Sequence, residues 1–142
     1  MAQDGSFARR TPYDKTVLNV VCWLLQIALA VFLVVQSAIP LYQGGEYNIE
    51  TFDRIGFGQW FRYFTATVET AGAIGLLIPP LAGLAALGLV GVMIGAITTE
   101  LTVRTAAGAV LPLELLVLFA LVAWYRWPQN RALLRRVVGR RR

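Results

Sequence analysis

Four long apolar runs, each closed off by charged or helix-breaking residues, leave this chain few ways to fold. Hydrophobic residues make up 57% of its 142 positions and charged residues only 15%, where a soluble domain carries nearer a quarter charged. The apolar residues are not spread periodically around one core; they are collected into segments. The first runs from Val17 to Ile39, 23 residues, and would reach about 34 Å as a helix, enough for a hydrocarbon layer of ~30 Å. A backbone crossing lipid must bond to itself, so such runs read as helices. The expected fold is an all-α integral membrane protein, a bundle of four transmembrane helices at about 17–39, 60–78, 81–98 and 109–127.

Breakers and caps set the joints. Thr11, Pro12 and Asp14 read as a helix start, with Thr11 as N-cap. A cleaved signal peptide competes with the first span, but the run is too long for one and no small-x-small site follows. Pro40 is expected to end the first helix. In the polar stretch that follows, Asn48 would cap a short interfacial helix carrying Ile49, Phe52 and Ile55 on one side, stopped by Gly56 or Gly58. Pro79-Pro80 forbids a continuous helix and forces a tight turn. Trp60, Tyr63, Trp124, Tyr125 and Trp127 suit interfacial aromatic belts. Residues 1–15 form an N-terminal tail, 16–127 the membrane domain and 128–142 a basic tail. In that tail Leu133, Leu134, Val137 and Val138 alternate with arginines. It is either a helix on an anionic lipid surface or an unstructured positive segment.

Ten of the thirteen basic residues lie in the first 15 or last 17 positions. The first loop holds Glu46, Glu50 and Asp53 against Arg54 and Arg62, and the third holds Glu100 and Arg104. Positive-inside logic then puts both ends in the cytoplasm, which an even number of spans permits. Basic ends beside apolar runs are a topology signal, so no nucleic-acid partner is expected. The lipid bilayer is the first partner implied.

The chain has no histidine, which removes bis-histidine haem, imidazole-held zinc and histidine acid–base chemistry. Its one cysteine, Cys22, rules out disulfide exchange by a Cys-x-x-Cys pair and reads as a small buried hydrophobe. No metal site and no catalytic residue are assigned.

Glu69 falls nine positions from either end of the second span, near the bilayer midplane. A carboxylate there costs at least ~2.5–3.5 kcal/mol, so it is expected to be protonated or hydrogen-bonded and to face the bundle. Two readings stay open: a ligand-binding or proton-handling carboxyl, and a neutral acid locking two helices together. Asn19, Cys22 and Gln26 share one face of the first span, and Gln26 is the expected partner of Glu69. Glu114, inside the fourth run beyond Pro112, is the third ligand or proton candidate. Glu100 and Arg104, spaced i,i+4, read as a solvated pair. Gly88, Gly91 and Gly95 follow one face of the third span, and Ala71, Gly72 and Gly75 flank Glu69; these small residues are expected to let helix backbones close in.

The run Val68-Glu69-Thr70-Ala71-Gly72-Ala73-Ile74-Gly75-Leu76-Leu77-Ile78-Pro79 resembles the V-E-x-x-G-x-x-L-L-I-P core of the DoxX-like membrane proteins. Phe52 to Trp60 and Ala85 to Leu89 resemble the same family, as do the length and the proline turn. The resemblance covers about Trp23 to Trp127. Val35-Gln36-Ser37-Ala38 stands where members often have a glycine and a lysine, and Thr98-Thr99-Glu100 where many have a histidine. The resemblance implies a bacterial inner-membrane protein with links to quinone-coupled oxidoreductases such as thiosulfate:quinone oxidoreductase. Fold does not fix function, and three readings remain open. The first is a quinone-associated subunit of a redox complex, not an enzyme by itself, needing a protein partner for the redox centre. The second is a small proton-coupled transporter with Glu69 and Glu114 as stations. The third is a structural or assembly subunit.

Overall fold

A computed structural model describes residues 12–139. The capping role expected of Thr11, and the basic residues Arg9, Arg10, Arg140, Arg141 and Arg142, lie outside them. The described residues are helical, with no strand among them: α1 (Pro12–Leu33), a π-helical turn (Val34–Ala38), α2 (Ile39–Gln43), α3 (Glu46–Ile55), α4 (Gln59–Leu77), α5 (Ala82–Val103), a 3-10 turn (Ala106–Ala109), α6 (Val110–Tyr125) and α7 (Trp127–Gly139).

Among the described residues, three stretches are long and apolar enough to cross a membrane: Tyr13–Gln43, Ala82–Val103 and Ala106–Tyr125. Their large apolar side chains are mostly exposed on the outside, including Leu24, Val31, Ile94, Leu113 and Val117. A helix apolar on its outer face as well as its inner one suits lipid. This is a multi-pass helical membrane protein. Helix α4 has 19 residues but falls short of the same apolarity because Gln59, Arg62 and Glu69 interrupt it.

Pro40 does not end the first helix, contrary to expectation. Proline lacks an N–H and crowds the carbonyl four residues back, here Gln36. The π turn at Val34–Ala38 widens the backbone where that carbonyl sits, with the Ile39 N–H bonded to Val34 O, so the chain carries on through Pro40 to Gln43. It stops at Gly44, whose φ of 70° is cheap only for glycine. The end of α2 leaves the Leu41 and Tyr42 carbonyls without helical donors; Arg62 Nη1 donates to Leu41 O and reaches Tyr42 O at 3.4 Å. Asn48 Nδ2 donates at 3.1 Å to Pro40 O, which the Gly44 N–H also serves. Asn48 is therefore not the cap of α3; Gly45 occupies that position.

The Pro79-Pro80 turn has a similar consequence. Pro80 offers no N–H to Leu76 O, and Gln26 Nε2 of α1 fills the gap at 2.6 Å. Leu29, Ala30 and Leu33 of α1, Ala73 and Leu76 of α4, Ala86, Leu89 and Met93 of α5, and Phe119, Val122 and Ala123 of α6 form one core. Helix α3 packs on α4 through Phe52 beside Leu41 and Ala66. The tail is helical from Trp127 to Gly139, as α7.

Candidate functional site

Between α3, α4 and α5 lies a half-open cavity of ≈ 710 Å³, within the range of small-molecule sites. Its wall is aromatic: Phe52, Phe57 and Phe64 pack around Phe61 with centroid separations of 5.8, 5.4 and 6.1 Å, and all four line the space. The opposite wall is bare. Gly88, Gly91 and Gly95 of α5 line it, and a Cβ built on any of the three meets nothing within 4 Å. These glycines do not draw helices together within the chain, as the sequence suggested; they make room.

Glu69 lies at the inner end of this cavity, only 4% exposed. Its Oε2 has no hydrogen-bond partner. Ser37, on the π turn, is its polar neighbour, so the widened turn that accommodates Pro40 also brings a hydroxyl to the carboxyl. π-Bulges recur at functional sites. At the other end of the cavity Glu100 accepts from Tyr47 Oη at 2.8 Å. Its second oxygen is unpartnered and packs where Gly108 leaves space for it. The expected Glu100–Arg104 pair does not form. Arg104 instead sits 3.7 Å over the Tyr47 ring and reaches Glu50 at 3.5 Å, because α3 supplies both an aromatic face and an acid. Hydrogen bonding to the Tyr47 side chain, and after it the Glu50 carboxylate, hold Arg104 more firmly protonated than an ordinary arginine.

The model of the DoxX-like family matches residues 24–122, from the second half of α1 to the last turn of α6. The chain belongs to the DoxX-like family. No curated protein and no solved structure matched it. The matched stretch of this DoxX-like protein contains every residue that lines the cavity and leaves α7 outside.

Gln26 is fully buried, but not against Glu69. Besides bonding Leu76 O, it accepts from Cys22 Sγ at 3.3 Å and from Arg126 Nε at 3.0 Å, while Arg126 Nη1 donates to Asn19 Oδ1 at 3.1 Å. Turned with its oxygen toward Arg126, the Gln129 amide accepts from Nη1 at 3.1 Å and donates to Pro79 O at 3.1 Å. The polar face of α1 thus joins α4, α6, α7 and the proline turn at the end of the bundle away from the cavity. Asn19, Cys22 and Gln26 do share one face, but the partner they meet is a guanidinium. The sequence reading had counted Arg126 only as a positive tail residue, although it is 3% exposed. Arg62, 4% exposed, was missed in the same way. The available signal was the demand side: Pro80 leaves Leu76 O without a donor, and the end of a helix leaves carbonyls, here those of Leu41 and Tyr42, to side chains.

Glu114 lies exposed on α6 and lines no part of the cavity, so the structure does not bring it together with Glu69. Gly72 and Gly75 face α5 closely. A Cβ at Gly72 would come within 2.6 Å of Leu89 Cδ2, and one at Gly75 within 2.7 Å of Ala85 Cβ. No group of three or more metal-ligating side chains occurs among the described residues.

Proposed function

We propose that this DoxX-like protein binds a small lipophilic ligand inside the bundle and serves as the ligand-holding subunit of a larger membrane complex, not as an enzyme by itself. One observation carries this reading: a buried carboxyl with an unpartnered oxygen, Glu69, at the inner end of an aromatic cavity of ≈ 710 Å³. An apolar pocket with few convergent polar groups is the usual form of a ligand site. A buried polar atom left without a partner is costly unless something else completes it. The family's implied link to quinone-coupled oxidoreductases makes a quinone the neutral ligand to test first, with the redox centre on a partner protein.

The membrane arrangement proposed with it has four spans, both ends cytoplasmic, in a bacterial inner membrane. Antiparallel contacts support a fourth span. Gln26 meets Leu76 near one end of α4, and Leu41 meets Arg62 near the other, so α4 runs alongside the first apolar stretch from Gln26 to Leu41. Its polar residues are tolerable because Arg62 and Glu69 are buried in protein. Helix α3, with Tyr47, Ile49 and Phe57 exposed nearby, would lie at the outer interface over the cavity.

Solvent extraction of protein purified in mild detergent, followed by mass spectrometry, tests the ligand reading. The wild type should carry a lipophilic compound at near-stoichiometric level, and Gly91→Leu, which fills the cavity, should lose most of it. Equal content in both would remove the cavity as the site.

A further inference from the structure

The charge inside the cavity says more about the occupant than its volume does. We propose that the ligand is a lipophilic cation, an amine or quaternary ammonium whose charge sits against Glu69 and whose apolar part lies among the phenylalanines. This inference rests on the reading of the cavity as a ligand site and narrows its chemistry.

Among the described residues, the charged and titratable side chains lining the space are Glu69 of α4, Glu100 of α5 and Tyr47 of α3, with no lysine or arginine. The π turn contributes only the Ser37 hydroxyl there. The nearby cations are engaged elsewhere. Arg62 is spent on Gln59 and the carbonyls ending α2, Arg104 on Glu50 and the Tyr47 ring, and Arg126 on Gln26 and Asn19 at the far end. Glu69 is thus a carboxyl without a counter-ion in a nearly dry place, where an opposite charge is worth far more than in water. Phe52, Phe57, Phe61 and Phe64 add aromatic faces to the same cavity, and such faces attract ammonium groups most strongly when they are desolvated.

Hydrogen bonding points the same way. Most of the wall's donors are committed: Tyr47 Oη to Glu100, Asn48 to Pro40 O, Thr51 to Tyr47 O, Thr65 to Phe61 O and Thr98 to Ile94 O. What stands open is one oxygen each on Glu69 and Glu100, and an ionised carboxyl asks for a donor or a positive charge. A quinone ring offers acceptors only, which makes it the informative neutral competitor.

The experiment measures equilibrium binding of tetraphenylphosphonium, of a long-chain primary amine and of a short-chain ubiquinone to full-length protein in nanodiscs of zwitterionic lipid. Wild type, Glu69→Gln, Gly91→Leu and the surface control Glu114→Gln are compared, with folding checked by circular dichroism and thermal unfolding. Both cations should bind saturably near one per chain and more tightly than the quinone. Affinity should fall at least tenfold in Glu69→Gln and in Gly91→Leu and stay unchanged in Glu114→Gln. Quinone binding that Gly91→Leu abolishes, with no cation binding, overturns the cation and leaves the cavity reading standing. Cation binding untouched by Glu69→Gln also overturns it. Saturable binding of none of the three probes overturns both.

Discussion

Glu69 and Gln26 were each conspicuous in the sequence, and what separates them is register. Counting depth from the centres of the two runs pairs them. The first helix runs on through Pro40 to Gln43, however, and α1 and α4 pack with Gln26 beside Leu76 and Leu41 beside Arg62, so Glu69 comes level with Ser37 instead. The importance of Glu69 was legible from its position in an apolar run; its neighbours were not, because a proline inside a π turn cannot be told from a proline that stops a helix. The two residues should therefore answer differently to leucine. Gln26→Leu strands Leu76 O and Arg126 Nε and should cost on the order of 1–3 kcal/mol, taking each interhelical bond in a membrane at roughly 0.6–1.7. Glu69→Leu removes a carboxyl with an unsatisfied oxygen and should leave stability unchanged or raised. Unfolding in mixed micelles under a denaturing detergent measures both. A larger loss for Glu69→Leu than for Gln26→Leu would make Glu69 the lock between helices instead.

At the scale of elements, the glycines divide by the surface they face, a division their spacing does not reveal. The Gly91-x-x-x-Gly95 pattern and the pair Gly72 and Gly75 look alike as text. Only Gly72 and Gly75 abut another helix, because the side of α5 bearing Leu89 and Ala85 is the side turned to α4; Gly88, Gly91 and Gly95 look into the cavity. The helices themselves were legible almost to the residue at the Pro79-Pro80 turn, where the backbone has no alternative. They were less so at α5, which runs past 98 to Val103. There Thr98 and Thr102 bond back to the carbonyls of Ile94 and Thr98 at 2.8 and 2.7 Å, and so stay helical despite their polarity. The glycine division predicts opposite signs for one substitution. Gly75→Ala drives a methyl into Ala85 and should cost about 1–3 kcal/mol, the usual penalty of overpacking. Gly91→Ala enters open space and should stabilise by about 0.5–1 kcal/mol, the helical cost of glycine relative to alanine. Thermal unfolding of the two variants in one detergent decides it; a loss at Gly91 equal to that at Gly75 would mean that α5 closes on a neighbour there.

For the whole molecule, the open matter is whether α4 crosses the bilayer, because every other statement about sides depends on it. If it crosses, the chain passes four times and both ends share a side. If α4 only rides in the bundle, α1, α5 and α6 pass three times and the ends fall on opposite sides. The charge distribution favours the first: of the thirteen basic residues, ten lie at the two ends, and lysine and arginine are retained on the cytoplasmic side. The packing favours it too, since α4 accompanies α1 from the α2 end to the proline turn. The lone cysteine makes the test clean. Cys22 is buried, so a Cys22→Ala background can carry one new thiol at a time. Phe57→Cys places it beside α3, where the parent side chain is 63% exposed, and Val138→Cys places it on α7, where the parent is 67% exposed. A membrane-impermeant maleimide added to intact spheroplasts should label Phe57→Cys within minutes and leave Val138→Cys unlabelled until the membrane is opened. Labelling of Val138→Cys from outside would put α7 on the far face, reduce the spans to three and withdraw the proposed four-span arrangement.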